Sequence, residues 1–155
     1  MVVDVEVVVV VDVDGDGGVD LGVRSLTQTA IRTQAWARCA DKPGMLSFQR
    51  LDVYQRAIEF LVLTTEVTES LPRGHAERAD QLIRAAESVV RNIAEGAGRW
   101  SEADSSKHYK IARGEAMECA ASLDVLKLRR LVGADRYDRG IQLLEGVVAM
   151  LTKMV

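Results

Sequence analysis

The stretch Asn92-Ile93-Ala94-Glu95-Gly96-Ala97-Gly98-Arg99-Trp100-Ser101 decides how this chain folds. It joins two long segments whose apolar residues recur with the period of a helix. Gly96 and Gly98 suit the left-handed backbone that closes a helix. Ser101, with Asp104 three positions on, makes a capping-box-like start for the next one. Glu102 and Asp104 put acids in its first turn, where the helix dipole favours them. Residues 92–104 therefore read as the hinge of an antiparallel helical hairpin.

Working upstream, a helix is predicted over about 76–97. Leu82, Ala86, Val89, Ile93 and Ala97 form one stripe, with Ile83, Val90 and Ala94 beside it. So broad an apolar face implies packing on more than one neighbour. Ala85, Ser88, Asn92 and Gly96 form a small, polar stripe that lets another backbone approach closely. Before it, a helix over about 51–71 is predicted from Leu51, Tyr54, Ile58, Leu61, Thr65 and Thr68, widened by Ala57 and Val62. Pro72 and Gly74 stop it.

Downstream, the third helix is predicted over about 102–132. Tyr109, Ala112, Ala116, Ala120, Leu123 and Leu131 trace one face; Met117, Ala121, Leu128 and Val132 trace another. Gly133 is expected to end it. A fourth helix over about 136–154 starts with Asp135 as N-cap, and its seam is Tyr137, Ile141, Leu144, Val148, Leu151 and Val155. Short loops between long amphipathic helices force antiparallel neighbours. The predicted class is all-α, an up-down-up-down four-helix bundle over residues 45–155. The second and third helices carry more apolar face than one core needs, which implies either a well-buried pair within the monomer or, the reading favoured, a subunit interface.

Residues 1–44 are unlike the rest. Valine supplies eleven of the first 23 positions, interrupted by aspartate and glycine. Such β-branched sequence reads as a single strand with no partner, marginal by itself. Acids interrupt the apolar stretch and no basic segment leads it, so it is not a secretory signal. Asp12, Asp14, Asp16 and Gly17 match the first half of an EF-hand loop, but the twelfth position, which needs a bidentate glutamate, is Val23. A weak helix is expected over residues 25–38. The expectation for 1–44 is a low-complexity, disordered extension, or sequence upstream of a natural start at Met45.

The net charge of −3 belongs to this extension. Residues 1–44 hold four Lys/Arg and seven Asp/Glu, whereas residues 45–155 hold sixteen of each. A neutral domain has no global field to attract nucleic acid, so such binding needs a local patch. Lys127, Arg129, Arg130, Arg136 and Arg139, with only Asp135 and Asp138 nearby, are the candidate phosphate-facing patch. No apolar run approaches a membrane span.

Nothing in the sequence assembles a catalytic or metal site. The two histidines, His75 and His108, do not follow a glutamate at the Glu-x-x-His spacing of di-iron bundles. His75 is expected to be solvated in a turn and His108 to pair with Asp104 on a helix surface. Cys39 and Cys119 have no ligand or disulfide spacing, and Cys119 reads as a small apolar core residue. There is no P-loop, no GxSxG and no GxGxxG. The expectation is therefore no enzymatic activity, no cofactor, no metal and no small-molecule substrate. Glu95 and Arg113 are expected either to form an internal ion pair between the second and third helices or to stand as two exposed charges worth well under about 1 kcal/mol.

Four separated motifs carry a resemblance. Phe48-Gln49-Arg50-Leu51-Asp52-Val53-Tyr54-Gln55 precedes Glu77-Arg78 and the run from Arg84 to Arg99, and Ala112-Arg113-Gly114-Glu115-Ala116-Met117-Glu118 follows. In this order they resemble the four-helix-bundle family also called 23S rRNA intervening-sequence proteins, which is related to the accessory variability protein of diversity-generating retroelements. The likeness covers residues 46–155. It implies a bacterial, cytoplasmic helical bundle, a homopentameric ring, and no known enzymatic activity. It also implies partners among RNA and reverse-transcriptase-like proteins. Asn92, Glu95, Gly96, Gly98, Arg99 and Arg113 carry over as structural signature positions. The neutral domain departs from the basic surface of nucleic-acid-binding relatives. Two readings follow: an oligomeric scaffold for RNA or a nucleic-acid enzyme, and an oligomer whose partner is purely protein. A bundle-core enzyme is the third and weakest.

Overall fold

The computed structural model describes residues 7–13, 19–25 and 46–155. The chain divides into two units, Met1–Cys39 and Ala40–Val155, so the division falls a few residues before the one expected at 44/45. In the first unit, β1 (Val7–Val13) and β2 (Val19–Ser25) pair antiparallel, from Val7 opposite Ser25 to Val13 opposite Val19. The strand expected to stand alone thus has a partner. The second run, Val19-Asp20-Leu21-Gly22-Val23, alternates as a strand does, and the Asp/Gly-rich residues between the runs are turn formers. The half EF-hand loop at Asp14, Asp16 and Gly17, the weak helix, the start at Met45 and the disorder expected of the remaining extension fall outside the described residues.

The second unit opens with a 3-10 turn, Ser47–Arg50, whose Phe48 ring meets Tyr54 edge-on at 5.0 Å. Four helices follow: α1 (Asp52–Glu69), α2 (Ala76–Ala97), α3 (Glu102–Leu128) and α4 (Ala134–Lys153). Each helix packs on two others, in the cyclic order α1–α2–α3–α4. Cross-helix contacts fix the directions. Gly96 meets Tyr109 while Gln81 reaches Glu118, so α2 and α3 are antiparallel. Arg113 reaches Thr152 while Asp124 meets Tyr137, so α3 and α4 are too. The same holds for α1 and α4, where Arg56 lies on Gly146 and Ser70 meets Arg136. The up-down-up-down bundle is present.

Its core is apolar, built on Phe60, Leu82, Ile93, Leu123, Leu126 and Leu151, each 2 % exposed or less. The stripe expected on α2 is the one buried, except that Ala97 is only half-buried. On α1 the core takes Val53, Tyr54, Ala57, Phe60, Leu63, Thr64 and Val67, and leaves Ile58, Leu61, Thr65 and Thr68 half-buried. Both faces of α1 are apolar, so periodicity could not choose between them; the bulk of Phe60 settles the rotation. Thr65 and Thr68 bond their own helix, donating to the carbonyls of Leu61 and Thr64 at 3.0 Å each.

On α4 the seam is Gly140, Leu143, Leu144, Val147 and Leu151, in place of Tyr137, Ile141, Leu144, Val148, Leu151 and Val155. Gly140 turns the helix. A Cβ there would lie 2.7 Å from Leu123 Cδ1, so the bare backbone accepts the α3 side chain. Gly133, the residue before Ala134, is the N-cap of α4; Asp135 stands inside the first turn. The third helix stops four residues earlier than expected. Leu131 N–H donates to Leu126 O and Arg130 N–H to Lys127 O, both at 2.9 Å, with Arg130 at φ 57°. This is a Schellman closure in which arginine occupies the left-handed position that glycine usually takes.

Candidate interaction surfaces

The signature positions gather at the α2–α3 turn. Ser101 Oγ accepts from Asp104 N–H at 3.1 Å and starts α3 as the sequence predicts. One turn before the end of α2, Asn92 Nδ2 donates to Ser88 O at 2.9 Å, which leaves its Oδ1 facing α3. There His108 Nδ1 lies 3.3 Å from Asn92 Oδ1 and 3.6 Å from Glu95 Oε2, with the imidazole only 15 % exposed. Glu95 also pairs with Arg99 one turn on. A protonated Nδ1 can donate to both acceptors, which ties the two helices in register. Gly96 closes the cluster: a Cβ there would fall 2.6 Å from the Tyr109 ring.

Two expectations for this region are corrected. Arg113 does not pair with Glu95; its Nε donates to Thr152 Oγ1 at 3.0 Å on α4. Arg113 sits one turn beyond Tyr109, on the side of α3 that faces α4. His108 does not pair with Asp104, whose carboxylate accepts from Ser101 Oγ at 2.7 Å. The signal for the real partners was present. Asn92 belongs to the small, polar stripe of α2, and a partly buried polar group takes the nearest polar neighbour across the seam, here His108.

The five residues of the candidate phosphate patch share the α3–α4 end of the bundle, but most are occupied. Arg139 Nη2 bridges Glu59 at 3.1 Å. Arg136 Nη1 donates to Ser70 Oγ at 3.1 Å. Lys127 Nζ stands 4.8 Å over the ring of Tyr137. The Tyr137 hydroxyl in turn donates to Asp124 at 2.7 Å, which raises its pKa. Arg129 and Arg130 extend from the Schellman turn, both exposed and with no side-chain partner among the described residues. Of the five, Arg139 has its charge met by a carboxylate, and the side chains of Arg136 and Lys127 are held in place by neutral partners.

The most distinctive surface is apolar. Met117 is 53 % exposed, Val125 44 % and Leu128 83 %, and Ala121 lies exposed between them. They share the face of α3 opposite its buried residues Ala112, Ala116, Cys119, Leu123 and Leu126. Lys107 and Lys110 continue the same face downward. Beside it, Met117, Ala120, Ile141, Val148 and Ala149 border an apolar groove of about 330 Å³ between α3 and α4. At the α2–α3 turn Trp100 is fully exposed, above a wider cleft bordered by Ser105, Tyr109 and Lys153.

The remaining reactive side chains fit structural roles. His75 is the N-cap of α2 and is half-buried, not solvated. Cys119 is fully buried, and burial, reinforced by Glu115 and Glu118, pushes its thiol up to about 12. Among the described residues no three His, Cys, Asp or Glu side chains converge as a metal site, and no helix is long and apolar enough to cross a membrane.

Fold and surface together define a helical bundle with an unpaired apolar face. The chain belongs to the 23S rRNA-intervening sequence protein family, whose model matches residues 49–153. The solved structure of a protein of unknown function from the S23 ribosomal protein family of Bacteroides thetaiotaomicron superposes with a TM-score of 0.61 at 22 % identity, covering 66 % of this chain and 93 % of that one. That likeness is one of fold. No curated protein matches the chain.

Proposed function

We propose that this protein is a non-enzymatic, bacterial, cytoplasmic scaffold that assembles with copies of itself and presents the assembly to a macromolecular partner. The outward face of α3 carries the reading. An exposed run of Met117, Ala121, Val125 and Leu128 on a monomer loses free energy until something covers it. The resemblance to the family adds the number of copies, five in a closed ring. The absence of a site constellation in the sequence favours a scaffold over a bundle-core enzyme. The unpaired thiol of Cys119 suits a reducing compartment.

The partner proposed first is protein, a reverse-transcriptase-like enzyme included, because three of the five patch cations already have intramolecular partners. RNA is the second reading, favoured by Arg129 and Arg130 standing uncommitted, since a ring would repeat the pair around its rim. Light scattering on the full chain tests self-assembly; a single-chain mass at every concentration overturns the scaffold. RNA retention measured against salt then separates the partners. A slope near zero removes nucleic acid, and a slope of several counterions per copy establishes it.

A further inference from the structure

Trp100 is fully exposed, at 104 %, on the turn between α2 and α3. The bundle gains nothing from it, since an indole left in water contributes no buried area. So large an aromatic side chain on the outside is the residue type that anchors a binding surface. It stands on the lip of a cleft of about 750 Å³ between the start of α3 and the end of α4, whose walls include Ser106, Tyr109 and Lys153.

Cations flank this cleft. Lys110 lies one turn beyond Ser106 and Arg113 one turn beyond Tyr109, so both continue the α3 wall. Lys107 lies one turn beyond Ala103, at the outer edge. Arg113 reaches Thr152, the neighbour of Lys153 on the facing wall. From Ala103 to Arg113 the α3 wall runs about 15 Å, room for a few nucleotides.

The acids at this end are mostly engaged, and these cations are not. Glu95 holds Arg99 and faces His108, Glu87 holds Arg91, and the Asp104 carboxylate accepts from Ser101. Glu102 is left as the one acidic side chain lining the cleft. Lys107, Lys110 and Lys153 are exposed with no side-chain partner among the described residues, and Arg113 has a neutral one. Acids and bases interleave along this part of the sequence, but pairing within the helices consumes most of the acids and leaves the bases beside Trp100 unmatched.

We infer that this cleft binds a short segment of single-stranded nucleic acid, with one base stacked on Trp100 and the adjoining phosphates met by Lys110, Arg113 and Lys153. A flat aromatic face takes any base, and a row of unpaired cations follows the backbone. A duplex does not suit it, because its bases cover one another's faces. A bilayer suits it no better, since the tryptophan borders a concave surface where insertion into headgroups needs a protruding one. This rests on the RNA reading of the partner and gives that reading a site, at the end of the bundle opposite Arg129 and Arg130.

Fluorescence anisotropy of a labelled single-stranded RNA of about ten nucleotides tests the site on the full chain. Trp100→Ala keeps the helices by circular dichroism and weakens binding about tenfold. Trp100→Phe retains most of the affinity. Lys110→Gln with Lys153→Gln lowers the salt slope by about 0.7 for each cation removed. Arg129→Ala with Arg130→Ala leaves the affinity unchanged. In a Trp36→Phe background the strand quenches the emission of Trp100, and a duplex of the same sequence does not. If the strand binds but Trp100→Ala costs nothing, or if the Arg129 and Arg130 pair carries the loss, the site is overturned while the RNA reading stands. Equal quenching by the duplex, or quenching by phosphatidylserine vesicles alone, overturns the site as well. If no single strand binds the unmodified chain at low salt, the RNA reading falls and takes this inference with it.

Discussion

The ring of Tyr109 rests on the bare backbone of Gly96, in the space where a β-carbon would otherwise stand 2.6 Å from Cε1. Glycine inside a helix normally costs about 1 kcal/mol relative to alanine. Here the cost is offset by letting α3 approach α2 at their shared turn. Gly96→Ala gains the propensity but forces the ring out of its place, an overpacking worth about 1–3 kcal/mol. The expected net result is a loss of stability. Gly114→Ala provides the contrast, since nothing lies within 4 Å of a β-carbon there. That variant should gain up to about 1 kcal/mol. Urea titration of both reads the opposite signs; two gains would remove the close approach as an explanation of Gly96.

Arg130 holds a left-handed backbone at φ 57° to close α3. A side chain there costs roughly 1–2 kcal/mol relative to the right-handed region. Arg130→Gly should therefore raise the midpoint of thermal unfolding and stabilise the domain by about 1 kcal/mol, with the helix content unchanged. A lower midpoint would mean that the guanidinium makes an interaction worth more than the strain.

Glu95 answers to His108 and Arg99, not to Arg113. A double-mutant cycle on Glu95→Ala and His108→Ala should show coupling, and so should one with Arg99→Ala. The pair Glu95→Ala and Arg113→Ala should be additive. Glu95 and Arg99 are both close to half exposed, so each coupling should stay below about 1 kcal/mol. Coupling between Glu95 and Arg113 larger than the other two would sink the assignment.

Cys119 links stability to alkaline pH. Its thiol ionises near 9 when unfolded and about 12 when folded, because burial disfavours the thiolate. The folded state therefore holds a proton that the unfolded state releases. Stability is intact below pH 9 and falls between pH 9 and about 12, with a slope of up to about 1.4 kcal/mol per pH unit from this group. Cys119→Ala should flatten that part of the curve. In a Cys39→Ser background the native protein should not react with an aromatic disulfide reagent below pH 9 and should react once unfolded. Fast labelling of the folded chain would contradict the burial.

The hinge was legible because its chemistry is local. Ser101 is read within a single turn of the chain, and α2 occupies the 76–97 span that its residues predict. Gly98, however, closes it at φ −90°, in the right-handed region and not the left-handed one expected of it, and Gly96 lies within the helix. The helix ends at Pro72 and Gly74 follow the same logic. The rotation of α1 was not legible, since Ile58 and Leu61 are as apolar as Phe60 and Leu63. A pattern of period 3.6 finds a face but cannot rank two faces that are both oily. The family signature was found by resemblance, but its partners were not, because a carboxylate such as Glu95 accepts from whichever cation the packing brings near.

By itself the sequence determined four amphipathic helices, three turns between them and a neutral bundle domain. Those properties depend on neighbours in the chain, on composition, or on residue types that are present or missing. Only the tertiary structure decided which stripe of α1 and α4 turns inward, which basic residues are already engaged, and which apolar face of α3 is left outside. Those outcomes depend on close approaches such as Leu123 onto Gly140, where the fit between side chains far apart in sequence outweighs a hydrophobicity that both candidate faces share.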